Sequence, residues 1–292
     1  MARSMRRLIG ILFIVISSAS FGTLAILGRY AYQDGMDIFT VLFLRFTISA
    51  AIMTVILLLR REHFPRGRVL LQLIGMGALG YVAGAYLYLE AIRHASAGLV
   101  ALLLYLYPLF VTVLSTIVLR EQVAPVKIFA LVLAFVGTAF TVRPQGGEVI
   151  GILMSIGGAL VYSIYIIVGA NVMKHVSAVQ SSTIIFASAG LVYGVLTGIN
   201  GAHFPASNSG WVTMIGIILV CTVIPVVTFL AGLERIGPTS AAMLSTLEPV
   251  VTVLLAAWLF GERLGLIILF GGGLILVAVV LLARSELRIP AK

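Results

Sequence analysis

One apolar stretch occurs twice in this chain, and each copy is interrupted by a proline near its middle. The first copy covers residues 95–122 and contains Pro108, and the second covers residues 236–263 and contains Pro249. Subtracting 108 from 249 gives a register of 141 residues between the copies. Since a single shift relates two long segments, the chain is built from two halves of one plan.

The same shift relates residues outside the two stretches. It superimposes Glu121 on Glu262, Gly75 on Gly216, and residues 10–12 on residues 151–153. We therefore predict two repeats, with the first at 1–146 and the second at 147–292.

The prolines have a consequence at depth, because each stretch is long enough to cross a bilayer. A proline removes one backbone hydrogen bond from a helix. The carbonyls that lose their donors, those of Leu104 and Ser245, need another partner or a wet cavity in surroundings without water. The pattern predicts a site near the middle of the membrane.

Composition places the whole chain in the membrane. Hydrophobic residues make up 61%, charged residues 10%, and the mean hydropathy is +1.17, whereas soluble chains contain about 25% charged residues. The single cysteine, Cys221, lies in an apolar run, so we expect no disulfide framework, metal site or cofactor. The net charge of +9 comes from short loops, which favours membrane topology over nucleic-acid binding.

The sequence predicts an all-α membrane protein with ten transmembrane helices. The predicted spans are 8–29, 38–59, 69–92, 95–118, 124–142, 149–171, 180–200, 210–233, 238–260 and 264–283. The basic leader before the first span resembles a signal peptide. No Ala-x-Ala-like cleavage site follows it, and Gly10 pairs with Gly151 in the repeat, so we expect the first span to be retained.

Charge distribution predicts the orientation. An N-terminus in the cytoplasm places 14 of the 19 Lys and Arg residues inside and four outside, with Arg45 within a span. The positive-inside rule thus predicts that both termini are cytoplasmic. Five spans in each half is an odd number, so the halves are threaded in opposite senses as an inverted repeat. Such repeats commonly hold a substrate site at their interface, which favours alternating access in a monomer.

Short motifs at these positions carry a family resemblance. They are Leu44-Arg45-Phe46, Tyr107-Pro108 followed by Glu121, and 247–250 (Leu-Glu-Pro-Val) followed by Gly261-Glu262. Over essentially its full length the chain resembles the ten-span, EamA-type exporters of the drug/metabolite transporter superfamily. The resemblance implies export of amino acids or related metabolites across the inner membrane of a bacterium. It also implies a cavity lined by spans 1, 3, 4, 6, 8 and 9, and exporters of amino acids, aromatic ones included, look most similar.

Two charged residues lie well inside spans, where charge is expensive. Glu248, next to Pro249, either binds a substrate ammonium or a proton, or satisfies backbone groups freed by the proline kinks. Arg45 lies near the outer end of span 2, within reach of Glu90 near the outer end of span 3. We favour an Arg45–Glu90 structural pair over contact of Arg45 with a substrate carboxylate.

Tyrosines supply most of the candidate binding surface. Four lie deep in spans, where a hydroxyl needs a partner: Tyr81, Tyr105, Tyr107 and Tyr162. Tyr105 and Tyr107 are about 200° apart on a helix, so both face one cavity only if the proline kink turns one of them. Tyrosines near span ends, Tyr88 among them, are expected in the interfacial belt.

Hydroxyls and glycines complete the set of candidates. Ser245 lies within one turn of Glu248, although such hydroxyls often bond their own helix backbone. The predicted substrate contacts are Tyr81, Tyr105, Tyr107, Pro108, Tyr162, Ser245, Glu248 and Pro249. Gly80-x3-Gly84 and residues 271–273, three glycines, are predicted to be close-packing faces.

Other functional classes fit less well. An enzyme would need a catalytic group at depth, but Asp34 and Asp37, the only aspartates, lie in the first outer loop and no His-Glu-x-x-His motif occurs. A pump for cationic drugs would need a carboxylate in spans 1 and 6, and sugar-phosphate exchange would need more buried bases than Arg45. The remaining alternatives are an exporter of other neutral metabolites or drugs, a passive facilitator or channel, and a purely structural membrane protein.

Overall fold

The computed structural model describes residues 2–142, 146–261 and 264–288. Ten helices in it are long and apolar enough to cross a membrane, which confirms the predicted fold class. In chain order, spans 1 to 10 are Ser4–Gln33, Ile38–Leu59, Gly67–His94, Gly98–Val118, Pro125–Val142, Val149–Val172, Ala178–Asn200, Asn208–Ile236, Pro238–Phe260 and Leu266–Leu287. Because ten is even, both ends of this series lie at one end of the bundle, here named the terminal end. The opposite end is named the far end.

Polar side chains at the loop boundaries start several spans. Asp37 accepts hydrogen bonds from two backbone N–H groups at the start of span 2. Ser177 and Gln180 form a capping box at the start of span 7, and Ser207 caps span 8. These side chains satisfy N–H groups that have no partner within the first turn of a helix.

The internal repeat is visible in matched close contacts. A Cβ on Gly10 would lie 2.7 Å from Ile236 Cγ2, and a Cβ on Gly151 would lie 3.0 Å from Ala95 Cβ. Subtracting 141 from 236 gives 95 and from 151 gives 10, so the two contacts are equivalent. Glycine is required at both positions because two helices approach closely there.

Span packing follows the same symmetry. Span 2 packs along span 7, its own equivalent, and span 5 packs along span 10 in the same way. Span 1 packs on span 8 while span 3 packs on span 6, which exchanges equivalent partners. The two five-helix halves, threaded in opposite senses, thus form one inverted-repeat bundle. The boundary predicted between residues 146 and 147 stays a prediction.

Five of the spans are irregular, and four of them are irregular at matched positions. Span 1 is broken at Thr23, between Ala2–Gly22 and Leu24–Gln33. Spans 3 and 8 contain π-helical turns at Met76–Tyr81 and Leu219–Val223. Subtracting 141 from 219–223 gives 78–82, so the turns overlap in the repeat. Such turns often mark functional sites in helices.

Spans 4 and 9 are interrupted beside their prolines. Span 4 consists of helices Ala97–Leu104 and Tyr107–Val118. Span 9 consists of Pro238–Leu244, a 3₁₀ turn at Ser245–Leu247 and Glu248–Phe260. The Ser245 carbonyl accepts the backbone N–H of Glu248, so a 3₁₀ hydrogen bond satisfies the group that Pro249 leaves free.

Only part of the predicted glycine packing occurs. A Cβ would lie 3.2 Å from Tyr165 Cδ2 at Gly80 and 2.6 Å from the Gly137 carbonyl oxygen at Gly271, so both face close neighbours. A Cβ on Gly84 or Gly273 would meet no atom within 4 Å in the described structure. The prediction was therefore wrong for Gly84 and Gly273, and Gly84 instead faces open space inside the bundle.

Candidate functional site

A cavity of about 300 Å³ lies near the middle of the bundle, between the two halves. Five of the predicted contacts line it: Tyr81, Tyr105, Tyr107, Tyr162 and Glu248. The other lining residues are Phe21, Leu24, Leu42, Arg45, Phe46, Gly80, Gly84, Ala85, Tyr88, Leu104, Gly158 and Tyr193. The wall is thus mostly apolar and aromatic, with two opposite charges.

The other predicted contacts lie behind this wall. Pro108, Ser245 and Pro249 are buried and do not line the cavity. The Ser245 hydroxyl donates to the Ala241 carbonyl at 3.0 Å, so it bonds its own helix. The two prolines affect the cavity through the backbone, since the interruptions beside them position its side chains.

Tyr105 and Tyr107 both line the cavity because the helix is interrupted between them. Span 4 leaves the α-helical path after Leu104 and resumes it at Tyr107. The two ring centroids are 6.3 Å apart, and the Tyr107 ring meets Tyr162 edge-on at 4.8 Å. The kink therefore turns one tyrosine toward the other, the exception that the sequence left open.

Glu248 is the carboxylate of the cavity. It begins the helix Glu248–Phe260 and is half-buried. Within the described residues its side chain has neither a hydrogen-bond donor nor a cation in bonding distance. Tyr88, Tyr105, Tyr107 and Tyr162 line the same cavity as Glu248. Since a backbone N–H already satisfies the Ser245 carbonyl, the Glu248 side chain is not needed to repair that kink.

Arg45 also faces the cavity, and its predicted pairing with Glu90 was wrong. Glu90 lies 3.0 Å from Arg93 Nη1 and 3.6 Å from His94 Nε2. Both partners are one turn away on the same helix, where side chains meet most easily. Arg45 is 5% exposed, and its Nη2 donates to the Cys221 carbonyl at 3.1 Å.

A buried polar network closes the bundle at the terminal end. Lys127 Nζ lies 2.7 Å from Glu286 Oε1 and 3.6 Å from Glu121 Oε1. Ser240 joins them, since its Oγ lies 2.9 Å from Lys127 Nζ and its hydroxyl donates to Glu286 at 2.6 Å. Thr239 donates to Glu121 at 2.8 Å. We name these five residues the terminal-end network.

The terminal-end network connects the two halves of the molecule. Lys127 and Glu121 belong to the first half, and the other three residues belong to the second. On the terminal side of the cavity, helix Tyr107–Val118 of span 4 packs against helix Pro238–Leu244 of span 9. At the far end, Ala97–Leu104 and Glu248–Phe260 have no packing of comparable extent. The cavity is thus closed on the terminal side.

A cavity near the middle of two inverted five-helix repeats is an arrangement that many transporter folds share. Sequence comparison supplies the family. A profile of the EamA-like transporter family matches residues 8–143 and again residues 149–284. The chain belongs to the EamA-like transporter family. It is therefore a multi-pass membrane transporter, and each match covers one five-span repeat.

Individual relatives of this EamA-like transporter match along most of their length. An uncharacterized transporter of Bacillus subtilis, YcbK, is 28% identical over 280 residues, which cover 90% of this chain and 89% of the relative. An uncharacterized transporter of Archaeoglobus fulgidus is 28% identical over 275 residues, covering 93% and 95%. One solved crystal structure superposes with a TM-score of 0.82 at 21% identity and covers 97% of this chain and 98% of its own. That likeness shows the fold.

The cavity of this EamA-like transporter uses some spans that the resemblance did not imply. Span 2 contributes Arg45 and span 7 contributes Tyr193. Span 8 supplies no side chain to the described wall, but its π-turn supplies the Cys221 carbonyl to Arg45. The predicted set of lining spans was thus wrong for spans 2, 7 and 8.

Two tyrosines of the cavity were missed in the sequence. Tyr88 was assigned to the interfacial belt, but it lines the cavity. Gly80, Gly84 and Tyr88 are four residues apart, so they share one face of span 3, and this spacing is a signal for Tyr88. Tyr193 lies in a span with no polar pattern that would mark it, and its ring stacks on Phe46 at 5.8 Å. Glu262, part of the family motif, lies outside the described residues.

Proposed function

We propose that this transporter exports amino acids, aromatic ones included, from a bacterial cytoplasm across the inner membrane. The observation that carries the proposal is Glu248, a carboxylate without a cationic partner among the described residues of a membrane-embedded cavity. A charge in such a place is costly unless something pairs with it. The ammonium group of an amino acid supplies that charge.

The aromatic wall supports the choice of substrate class. Tyr105, Tyr107 and Tyr162 line the cavity together with Glu248, and tyrosine faces attract cations and pack against planar side chains. The cavity volume of about 300 Å³ lies at the lower end of the range for small-ligand sites. A single amino acid suits this size better than a large drug.

The asymmetry of the bundle supports alternating access. The terminal-end network joins the halves on one side of the cavity, while spans 4 and 9 separate on the other side. Rocking one repeat against the other would open the cavity at the terminal end and close it at the far end. We place the terminal end in the cytoplasm, because the sequence assigns 14 Lys and Arg residues to that side against four to the other, as the positive-inside rule requires. The cavity forms within one chain, so we propose a functional monomer.

Counterflow in liposomes tests the proposal. Purified protein is reconstituted into liposomes, and the liposomes are loaded with one unlabelled amino acid at a time from a panel. Uptake of the labelled amino acid is then measured with and without a pH gradient. We expect aromatic amino acids to exchange, as only an alternating carrier catalyses exchange. A response to the gradient would indicate that a proton is coupled. No exchange by folded protein across the panel would refute amino-acid export.

Replacing Glu248 tests the observation that carries the proposal. Glu248→Gln should reduce exchange by roughly 10-fold to 100-fold, because a hydrogen bond to a charged group contributes about 1.5–3 kcal/mol. Glu90→Gln is the matched control, since Glu90 pairs with Arg93 outside the cavity and should keep wild-type rates. Wild-type exchange by folded Glu248→Gln protein would remove Glu248 from the substrate site.

A further inference from the structure

We infer that Arg45 is a second binding subsite of the cavity and receives a carboxylate group of the transported molecule. The inference rests on the proposed function for the identity of that molecule, an amino acid, but its geometry stands on Arg45 itself. Arg45 lines the same cavity as Glu248. The two side chains form no ion pair within 4.0 Å, so both charges remain available to a ligand.

Arg45 keeps unused hydrogen-bond donors in a nearly dry place. A guanidinium carries five N–H donors, and the described structure gives Arg45 one acceptor, the Cys221 carbonyl. Its Nε is buried and has no hydrogen-bond partner, and the buried hydroxyl of Tyr193, another lining residue, has none either. Buried donors of this kind are normally satisfied. An anion bound beside Arg45 would supply an acceptor for the remaining guanidinium donors.

The fold itself does not need a cation at this position. Adding 141 to 45 gives 186, and the second repeat has phenylalanine there, fully buried in span 7. Likewise, subtracting 141 from 248 gives 107, where the first repeat has tyrosine. Each repeat therefore carries one charged residue, Arg45 or Glu248, at a position where the other repeat has an aromatic residue. This pattern favours a role in the cavity over a role in helix packing.

The chemistry of the surroundings selects a carboxylate over a phosphate. Arg45 is the single cationic side chain in the described wall, whereas a phosphate dianion normally requires several bases. A planar guanidinium matches a carboxylate through two parallel hydrogen bonds. Glu248 in the same cavity repels a dianion and attracts an ammonium group. The ligand class is thus a zwitterion with an apolar or aromatic body.

Three matched probes separate the two charges. L-phenylalanine carries both groups, 3-phenylpropionate carries only the carboxylate, and phenethylamine carries only the ammonium. Their dissociation constants are measured by calorimetry on purified wild-type protein and on Arg45→Gln, Glu248→Gln and Arg93→Gln. Arg93→Gln is the matched control, because Arg93 lies outside the cavity and pairs with Glu90.

We expect Arg45→Gln to weaken binding of 3-phenylpropionate and L-phenylalanine at least tenfold and to leave phenethylamine within twofold. Glu248→Gln should weaken phenethylamine and spare 3-phenylpropionate. If wild-type protein does not bind 3-phenylpropionate, or if Arg45→Gln weakens all three probes equally, the subsite is overturned. Should Arg45→Gln not fold, Arg45→Lys decides by the same criterion, since it keeps the charge but loses the two parallel hydrogen bonds.

The test distinguishes failure of the subsite from failure of the proposed function. Arg45-dependent binding of 3-phenylpropionate without any amino-acid counterflow would keep the anion subsite and refute amino-acid export. Amino-acid counterflow with an affinity for 3-phenylpropionate that Arg45→Gln does not change would keep export and overturn the subsite.

Discussion

The two ends of span 9 differ in burial, although the two repeats of the molecule have closely similar backbones. Residues 238–246, on the terminal side of the cavity, are all buried, whereas none of residues 251–260 on the far side is buried. The scaffold is nearly symmetric, with matched π-turns and matched proline interruptions. We therefore attribute the difference to the polar residues in which the two repeats differ. These residues close the cavity at the terminal end and not at the far end.

The contact between Lys127 and Ser240 in the terminal-end network has no counterpart in sequence at the far end, although Glu121 is matched by Glu262. Subtracting 141 from 240 gives Leu99 opposite Ser240, and adding 141 to 127 gives Ile268 opposite Lys127. The far end instead has hydrogen bonds between exposed loops, such as that from the Ser207 hydroxyl to Asp34. This bond holds the pKa of Asp34 below its usual value. Because Asp34 is at the surface, we assign the stronger closure to the terminal end.

Removing the cation of the terminal-end network should have the largest effect on stability. Lys127→Met leaves Glu286, whose side chain is 3% exposed, without its partner. Breaking a buried ion pair from one side costs about 3–5 kcal/mol, so we expect a marked fall in melting temperature in detergent. Lys127→Met combined with Glu286→Gln should recover part of the loss, because it leaves no unpaired charge at Glu286.

A small change for Lys127→Met alone would contradict this account of the closure. Lys174→Met, at the terminal-end turn between spans 6 and 7, is the control because Lys174 is exposed and should change the melting temperature little. An equal fall in melting temperature in Lys127→Met and Lys174→Met would show that the terminal-end network stabilises the fold no more than an exposed lysine does.

A matched pair of glycines sharpens the contrast within span 3. A Cβ on Gly77 would lie 2.0 Å from Ser188 Oγ and 2.3 Å from the Ile185 carbonyl oxygen, whereas one on Gly84 would meet nothing within 4 Å. Gly77→Ala should destabilise by about 1–3 kcal/mol through overpacking. Gly84→Ala should be neutral or slightly stabilising, because alanine is the better helix former. Thermal unfolding followed by circular dichroism measures the difference between the two variants. Equal melting temperatures would contradict tight packing of span 3 around Gly77.

Much of this fold could be predicted from sequence, since its signals are long and regular. Ten apolar runs and one register of 141 residues are enough for an inverted-repeat bundle. Tyr81, Tyr105, Tyr107, Tyr162 and Glu248 could be placed in the cavity because depth in a span is readable from sequence.

The errors concern which way side chains point. The Arg45–Glu90 pairing assumed that two nearby charges meet, yet Glu90 found closer partners on its own helix. Tyr193 could not be predicted because span 7 enters the wall only through its packing on span 2. The terminal-end network joins spans 5, 9 and 10 to the loop after span 4, and no pattern within one span reveals such a cluster.

Cysteine accessibility tests the closure of one end most directly. In a Cys221→Ser background, which has no other cysteine, Ala85→Cys reports on the cavity wall and Met243→Cys reports on the buried half of span 9. A membrane-impermeant thiol reagent is applied to vesicles of both orientations. We predict that Ala85→Cys reacts from the far side only and that Met243→Cys reacts from neither side. Reaction of Met243→Cys from the terminal side as fast as Ala85→Cys from the far side would contradict the account.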